Sequence, residues 1–194
     1  SACREVHGKH VVLDQNPEYE YMFDSYGWIW NIQNNEVCDL LRKIRRELID
    51  LCGNGSYFHL GFDEAYSLGG DSDMAVKLCQ YLNEIQKELE SEGRRAIIWG
   101  DMLLDKTTFQ DEKQHYFAYS EKCVANTIRK NLNKNIIIAD WQYLITDDTW
   151  KSSKTLKDEG FDVICCPWDN HSKVSNVDTA IKTARSNELY GIMH

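Results

Sequence analysis

Five short apolar runs, the first four each followed by a stretch of helical period, constrain this chain more than any other feature. The runs are Tyr57-Phe58-His59-Leu60, Ala96-Ile97-Ile98-Trp99, Ile136-Ile137-Ile138-Ala139, Val163-Ile164-Cys165-Cys166 and Leu189-Tyr190-Gly191-Ile192-Met193. Nearly continuous hydrophobicity over strand-like lengths suits strands covered on both faces, as in parallel sheets. Between them, Val37, Leu40, Leu41, Ile44, Leu48 and Leu51 repeat at helical spacing, as do Met74, Leu78, Leu82, Ile85 and Leu89. Such a face predicts helices packed on the sheet. Ser72 is the expected start of the second helix and Gly93 its stop. Weaker helices are expected after Ser120 and from Asp147 to Gly160. A last one carries Val177, Ala180, Ile181 and Ala184, opened by a capping box at Ser175-Asn176-Val177-Asp178.

Strand–helix alternation implies an α/β fold with parallel pairing and right-handed crossovers. No composition shift divides the 194 residues, so 1–194 reads as a single unit. Residues 1–35 read as an aromatic-rich loop region and 36–194 as a helix followed by strand–helix repeats. Hydrophobic and charged contents of 42% and 27% exclude disorder. A formal net charge of −9 argues against nucleic acid and anionic membranes. The basic run Arg42-Lys43-Ile44-Arg45-Arg46 reads as a solvated helix face. No apolar run is long enough to span a bilayer. Ser1 to Glu5 carries no leader-like apolar stretch, so a cytoplasmic location is expected. The seven scattered cysteines lack C-x-x-C spacing and read as buried thiols in a reducing compartment, with no zinc site.

Carboxylates and aromatic rings gather after the runs: Asp63 and Glu64, Trp99-Gly100-Asp101, Asp140-Trp141-Gln142-Tyr143, and Trp168-Asp169. The C-terminal ends of parallel strands carry the chemistry in (β/α) barrels and in open doubly wound sheets alike. Indoles pack on the C–H faces of sugars, and carboxylates bond sugar hydroxyls. Adjacent acids are poorly placed to bracket one anomeric carbon. They suit divided labour, in which one protonates the leaving oxygen while the other orients a 2-acetamido group that attacks from within the substrate.

His59-Leu60-Gly61-Phe62-Asp63-Glu64 resembles the H-x-G-x-D-E signature of glycoside hydrolase family 20, the β-N-acetylhexosaminidases. Trp99-Gly100-Asp101, Asp140-Trp141-Gln142-Tyr143 and Gly8 to Asp14 add to the likeness, which is closer to bacterial exo-hexosaminidases than to lysosomal ones. The resemblance implies a (β/α)8 TIM barrel, of which this chain supplies about strands 4–8. It implies Glu64 as general acid/base and Asp63 as the residue orienting the acetamido group. Trp99, Trp141 and Trp168 would wall the sugar, Tyr143 would bond the acetamido oxygen, and Asp101, Asp140 and Asp169 would bond hydroxyls. The implied partner is an oligosaccharide containing N-acetylhexosamine, and no cofactor or metal is implied. Arg4 and His7 are further candidates to approach the sugar. His59 reads as a hydrogen-bonded core histidine. Trp28, Trp30 and Trp150 read as packing residues. Phe62 stands where the family usually has glycine or another small residue. A partial barrel would leave sheet edges unpaired and invite self-association. The rival reading is a non-catalytic carbohydrate-binding or inactive fragment.

Overall fold

The computed structural model describes residues 11–24, 27, 29–65, 72–109, 122–146, 149–170 and 174–194. Arg4, His7, Trp28, Ser120 and Gly8, Lys9 and His10 of the Gly8 to Asp14 segment lie outside them. Five parallel strands form one sheet in the order β1 (Tyr57–His59), β2 (Arg95–Trp99), β3 (Ile137–Trp141), β4 (Val163–Cys166) and β7 (Gly191–Ile192). All five coincide with the apolar runs. The main helices are α2 (Asn35–Cys52), α3 (Ser72–Glu90), α5 (Lys122–Asn131), α6 (Lys151–Asp158) and α7 (Val177–Ser186). The sheet does not close among the described residues, and this is the partial α/β barrel architecture. It is nevertheless curled: the Tyr57 hydroxyl at one edge lies 2.5 Å from the Tyr190 hydroxyl beside the other.

Strand alternation sorts the side chains. Phe58, Leu60, Ala96, Ile98, Ile136, Ile138 and Val163 pack outward against α3 and α5 in the main core. Ile97, Trp99, Ile137, Ala139, Trp141, Ile164 and Cys166 form a second cluster on the concave side. Register places Trp99 beside Ala139 and Trp141 beside Cys166. No described helix is long and apolar enough to cross a membrane.

Several expectations need correction. The region read as irregular loop contains α1 (Val11–Gln15) and a 3-10 turn at Pro17–Met22. Short helical turns carry too few residues to display a period. On α2, Val37 and Ile49 are buried, but Ile44, Leu48 and Leu51 are 41%, 45% and 83% exposed. Ile44 and Leu48 border a cavity beside the open edge of β1, where the described residues supply no neighbouring strand. Arg45, read as solvated, is buried against Glu88 at 2.5 Å. Asn176 precedes α7 but makes no capping bond. Cys79, Cys165 and Cys166 are buried, whereas Cys52 and Cys123 are exposed.

Candidate active site

The Asp63–Glu64 segment leaves β1 through an unusual backbone. Gly61, Phe62 and Glu64 have φ of 77°, 69° and 51°. Left-handed torsions cost an L-residue about 1–2 kcal/mol, and such outliers cluster where a fold over-determines them. Gly61 meets the demand freely, but Phe62 and Glu64 do not. The segment is tied to β2 at two points. The Trp99 N–H donates to the Gly61 carbonyl at 2.9 Å. The Glu64 N–H donates to Asp101 Oδ2 at 2.8 Å.

Asp101 stands at the top of β2 because Gly100 lets that strand end press on β3. A Cβ on Gly100 would meet Ile138 Cγ2 at 3.1 Å and the Ala139 carbonyl at 3.3 Å. The Asp101 carboxylate is 2% exposed. Its second oxygen accepts the Trp141 indole N–H at 3.2 Å. Burial pushes this carboxyl up to about 7, against the pull of the Glu64 and Trp141 donors.

From Trp141 an aromatic shelf continues outward. Tyr143 lies 5.3 Å from the Trp141 ring and Trp168 lies 5.4 Å from Tyr143. Trp168 is 46% exposed, so the shelf ends in solvent. Buried Asn176 holds the two loops together. Its Oδ1 accepts the Trp168 N–H at 3.0 Å, and its Nδ2 donates to the Gln142 carbonyl. This residue was missed in the sequence because a capping pattern explained it. The signal available was an Asn eight residues past Trp168, just before a helical period begins.

His59 faces the concave side, with its ring 4.6 Å from Trp99. Its Nδ1 accepts the Gly61 N–H at 3.0 Å, which leaves the proton on Nε2, a buried atom with no hydrogen-bond partner among the described residues. Burial lowers its pKa, and the Asp63 charge partly restores it. Asp140 belongs elsewhere. It points outward, fully buried, and accepts Ser152 and Ser153 hydroxyls at 2.6 Å and Gln142 Nε2 at 2.8 Å. Trp150 is fully buried, in accord with packing, and Trp30 stacks on Phe23 at 4.3 Å.

Glu64 is half-buried and Asp63 is exposed. Asp63 borders a cavity of about 440 Å³ beside the open edge of β1, lined also by Trp30, Leu41, Phe58, His59 and Phe62. A larger cavity of about 600 Å³ lies between α2 and α3, among paired charges such as Arg42 and Glu88, away from the strand ends. Among the described residues, no group of three His, Cys, Asp or Glu could hold a metal ion. Asp169 lies at the start of a two-strand ribbon, β5 (Asp169–Asn170) and β6 (Val174–Ser175), just beyond Trp168.

Residues 4–188 match the model of the glycosyl hydrolase family 20 catalytic domain. The chain belongs to glycoside hydrolase family 20. It is similar to the crystal structure of Dispersin B, with a TM-score of 0.54 and 19% identity over 94% of this chain and 58% of that one. It is also similar to the β-N-acetylhexosaminidase of Bacteroides fragilis, with a TM-score of 0.47 and 18% identity over 80% of this chain and 28% of that one. The Vibrio harveyi family 20 exo-β-N-acetylglucosaminidase gives 0.46 and 12% over 88% and 29%. At such identities a likeness carries the fold alone, and this family 20 chain spans little more than half the length of Dispersin B. No curated protein matches the chain.

Proposed function

We propose that this family 20 chain serves a glycosidase that removes terminal, non-reducing N-acetyl-D-hexosamine from β-N-acetylhexosaminides with retention. In this reading 1–194 are one part of the catalytic domain, contributing about strands 4–8. The observation that carries it is the position of Asp63 and Glu64 at the end of β1, with Asp101 bonded to both the Glu64 backbone and Trp141. The acetamido carbonyl oxygen attacks the anomeric carbon as the glycosidic C–O bond breaks. Glu64 gives its proton to the departing oxygen, and Asp63 accepts the acetamido N–H, which stabilises the oxazolinium ion. Water then attacks the same carbon, whose bond to the acetamido oxygen breaks, and the water gives a proton back to Glu64. Two inversions give retention. Trp99 and Trp141 wall the sugar, Tyr143 bonds the acetamido oxygen, and Trp168 and Asp169 meet the outer part of the substrate.

The test is turnover of p-nitrophenyl N-acetyl-β-glucosaminide by the full-length protein and its Glu64→Gln variant. Loss of a hundredfold or more in kcat supports the reading, since positioned proton transfer contributes roughly 10²–10⁴-fold. Sugar binding without turnover in the unsubstituted protein supports the rival, a carbohydrate-binding fragment. For the isolated chain we propose self-association. The open β1 edge and the exposed Ile44 and Leu48 beside it support this, and sedimentation at two concentrations tests it.

A further inference from the structure

We infer that Asp101 is a positioning residue for the acid of this site: its buried carboxylate locks the Glu64 backbone to the Trp141 indole, so that the proton donor and the sugar wall hold one fixed spacing. This rests on the proposed role of Glu64. At 2% exposure the Asp101 carboxylate has no open approach for a sugar hydroxyl. Both oxygens are already engaged, one by the Glu64 N–H at 2.8 Å and the other by the Trp141 Nε1–H at 3.2 Å. Those donors come from the segment after β1 and from β3, while Asp101 itself follows β2. One side chain therefore spans three consecutive strand ends. Glu64 sits at φ 51°, a torsion that must be held from outside. The Gly61–Trp99 bond fixes the start of the segment, and the Glu64–Asp101 bond fixes its end. Between them the backbone that carries the acid is tied to the strand ends that carry the shelf. An amide cannot replace this carboxylate. Asn offers one acceptor oxygen, so its NH2 would face an N–H donor and one of the two ties would break.

The experiment compares the full-length protein with its Asp101→Asn, Glu64→Gln and doubly substituted forms. The substrates are aryl N-acetyl-β-glucosaminides bearing a poor leaving group (phenol) and a good one (2,4-dinitrophenol). Good leaving groups need little protonation, so a misplaced acid lowers kcat/KM, which reports the leaving-group step, only for the poor ones. Asp101→Asn should lower kcat/KM on the phenyl substrate by about tenfold to a hundredfold, within the cost of an ångström-scale misplacement, and barely change it on the dinitrophenyl substrate, while kcat on the latter falls because Glu64 also takes the proton of the attacking water. In the Glu64→Gln background it should add less than about twofold, because the two residues act as a unit. Asp101→Glu, which keeps two acceptors, should restore part of the phenyl rate; it also carries the comparison if the Asn form does not fold. A loss equal on both substrates and multiplicative with Glu64→Gln overturns the inference, because a sugar ligand or a merely structural residue behaves that way. If Glu64→Gln itself shows no dependence on leaving group, the hydrolytic reading falls and takes this one with it. If Glu64→Gln shows that dependence and Asp101→Asn does not, only this inference falls.

Discussion

Asp140 and Trp141 are neighbours in the chain and face opposite sides of the sheet. Trp141 joins the concave cluster, while Asp140 is fully buried on the helix side among Ser152, Ser153 and Gln142. Asp140→Ala should therefore destabilise the fold by about 3 kcal/mol or more, since each buried donor left unpaired costs roughly 1–3 kcal/mol. The urea midpoint should fall without a change in slope. A rise in KM at unchanged stability would instead make Asp140 a sugar ligand.

Asn176 ties the loop after β3 to the loop after β4. Asn176→Ala frees the Trp168 N–H and the Gln142 carbonyl, and with them the spacing of Tyr143 and Trp168. Stability should drop by about 1–2 kcal/mol, and KM should rise several-fold with kcat little changed. A drop confined to kcat would mean that the shelf plays no part in holding substrate.

Burial, aided by the Asp63 charge, raises the Asp101 carboxyl from 3.8 to about 7. A group with a raised folded-state pKa contributes stability that is fully present below its unfolded value and lost as pH rises through its folded value. The window here runs from pH 3.8 to about 7. The unfolding free energy of the wild-type protein, minus that of Asp101→Asn, should fall across this window and level off above it. Urea titrations at several pH values measure the difference, and a flat profile contradicts the assigned burial.

Phe62 reverses the usual ranking of alanine over glycine. Its φ of 69° favours glycine, while its half-buried ring packs on the main core near Tyr81. Removing the ring costs on the order of 1–2 kcal/mol for partial burial, and glycine recovers about 1 kcal/mol of torsional strain that alanine keeps. Phe62→Gly should thus be more stable than Phe62→Ala by about 1 kcal/mol. Paired melts decide it, and the reverse order would mean that the left-handed backbone relaxes in the variants.

Much of this was legible in the chain. Apolar runs at Ile98, Ile138 and Ile164 announced strands because both faces of the sheet are covered, and the helical period of Leu78, Leu82 and Leu89 held because α3 is buried along one side. The period of Leu41, Ile44 and Leu48 was equally clear but did not foretell burial, because burial depends on what lies across the open edge of β1. Period-two alternation from Ile137 and Ala139 would have set Asp140 apart from Trp141. Nothing local marked Asp101 or Asn176 as clamps. Each works through partners from 8 to 40 residues away, such as the Trp168 N–H for Asn176 and the Trp141 indole for Asp101, and such pairings arise only once the strand ends converge.

The kinked ribbon from Gly61 to Glu64 has a consequence for anyone transplanting this motif. Spelling the same six letters onto a different barrel would reproduce the acids but not their aim, because the coil of the ribbon is imposed from beneath by a neighbouring strand. A working graft would have to carry Asp101 along with Asp63 and Glu64 as one inheritable block.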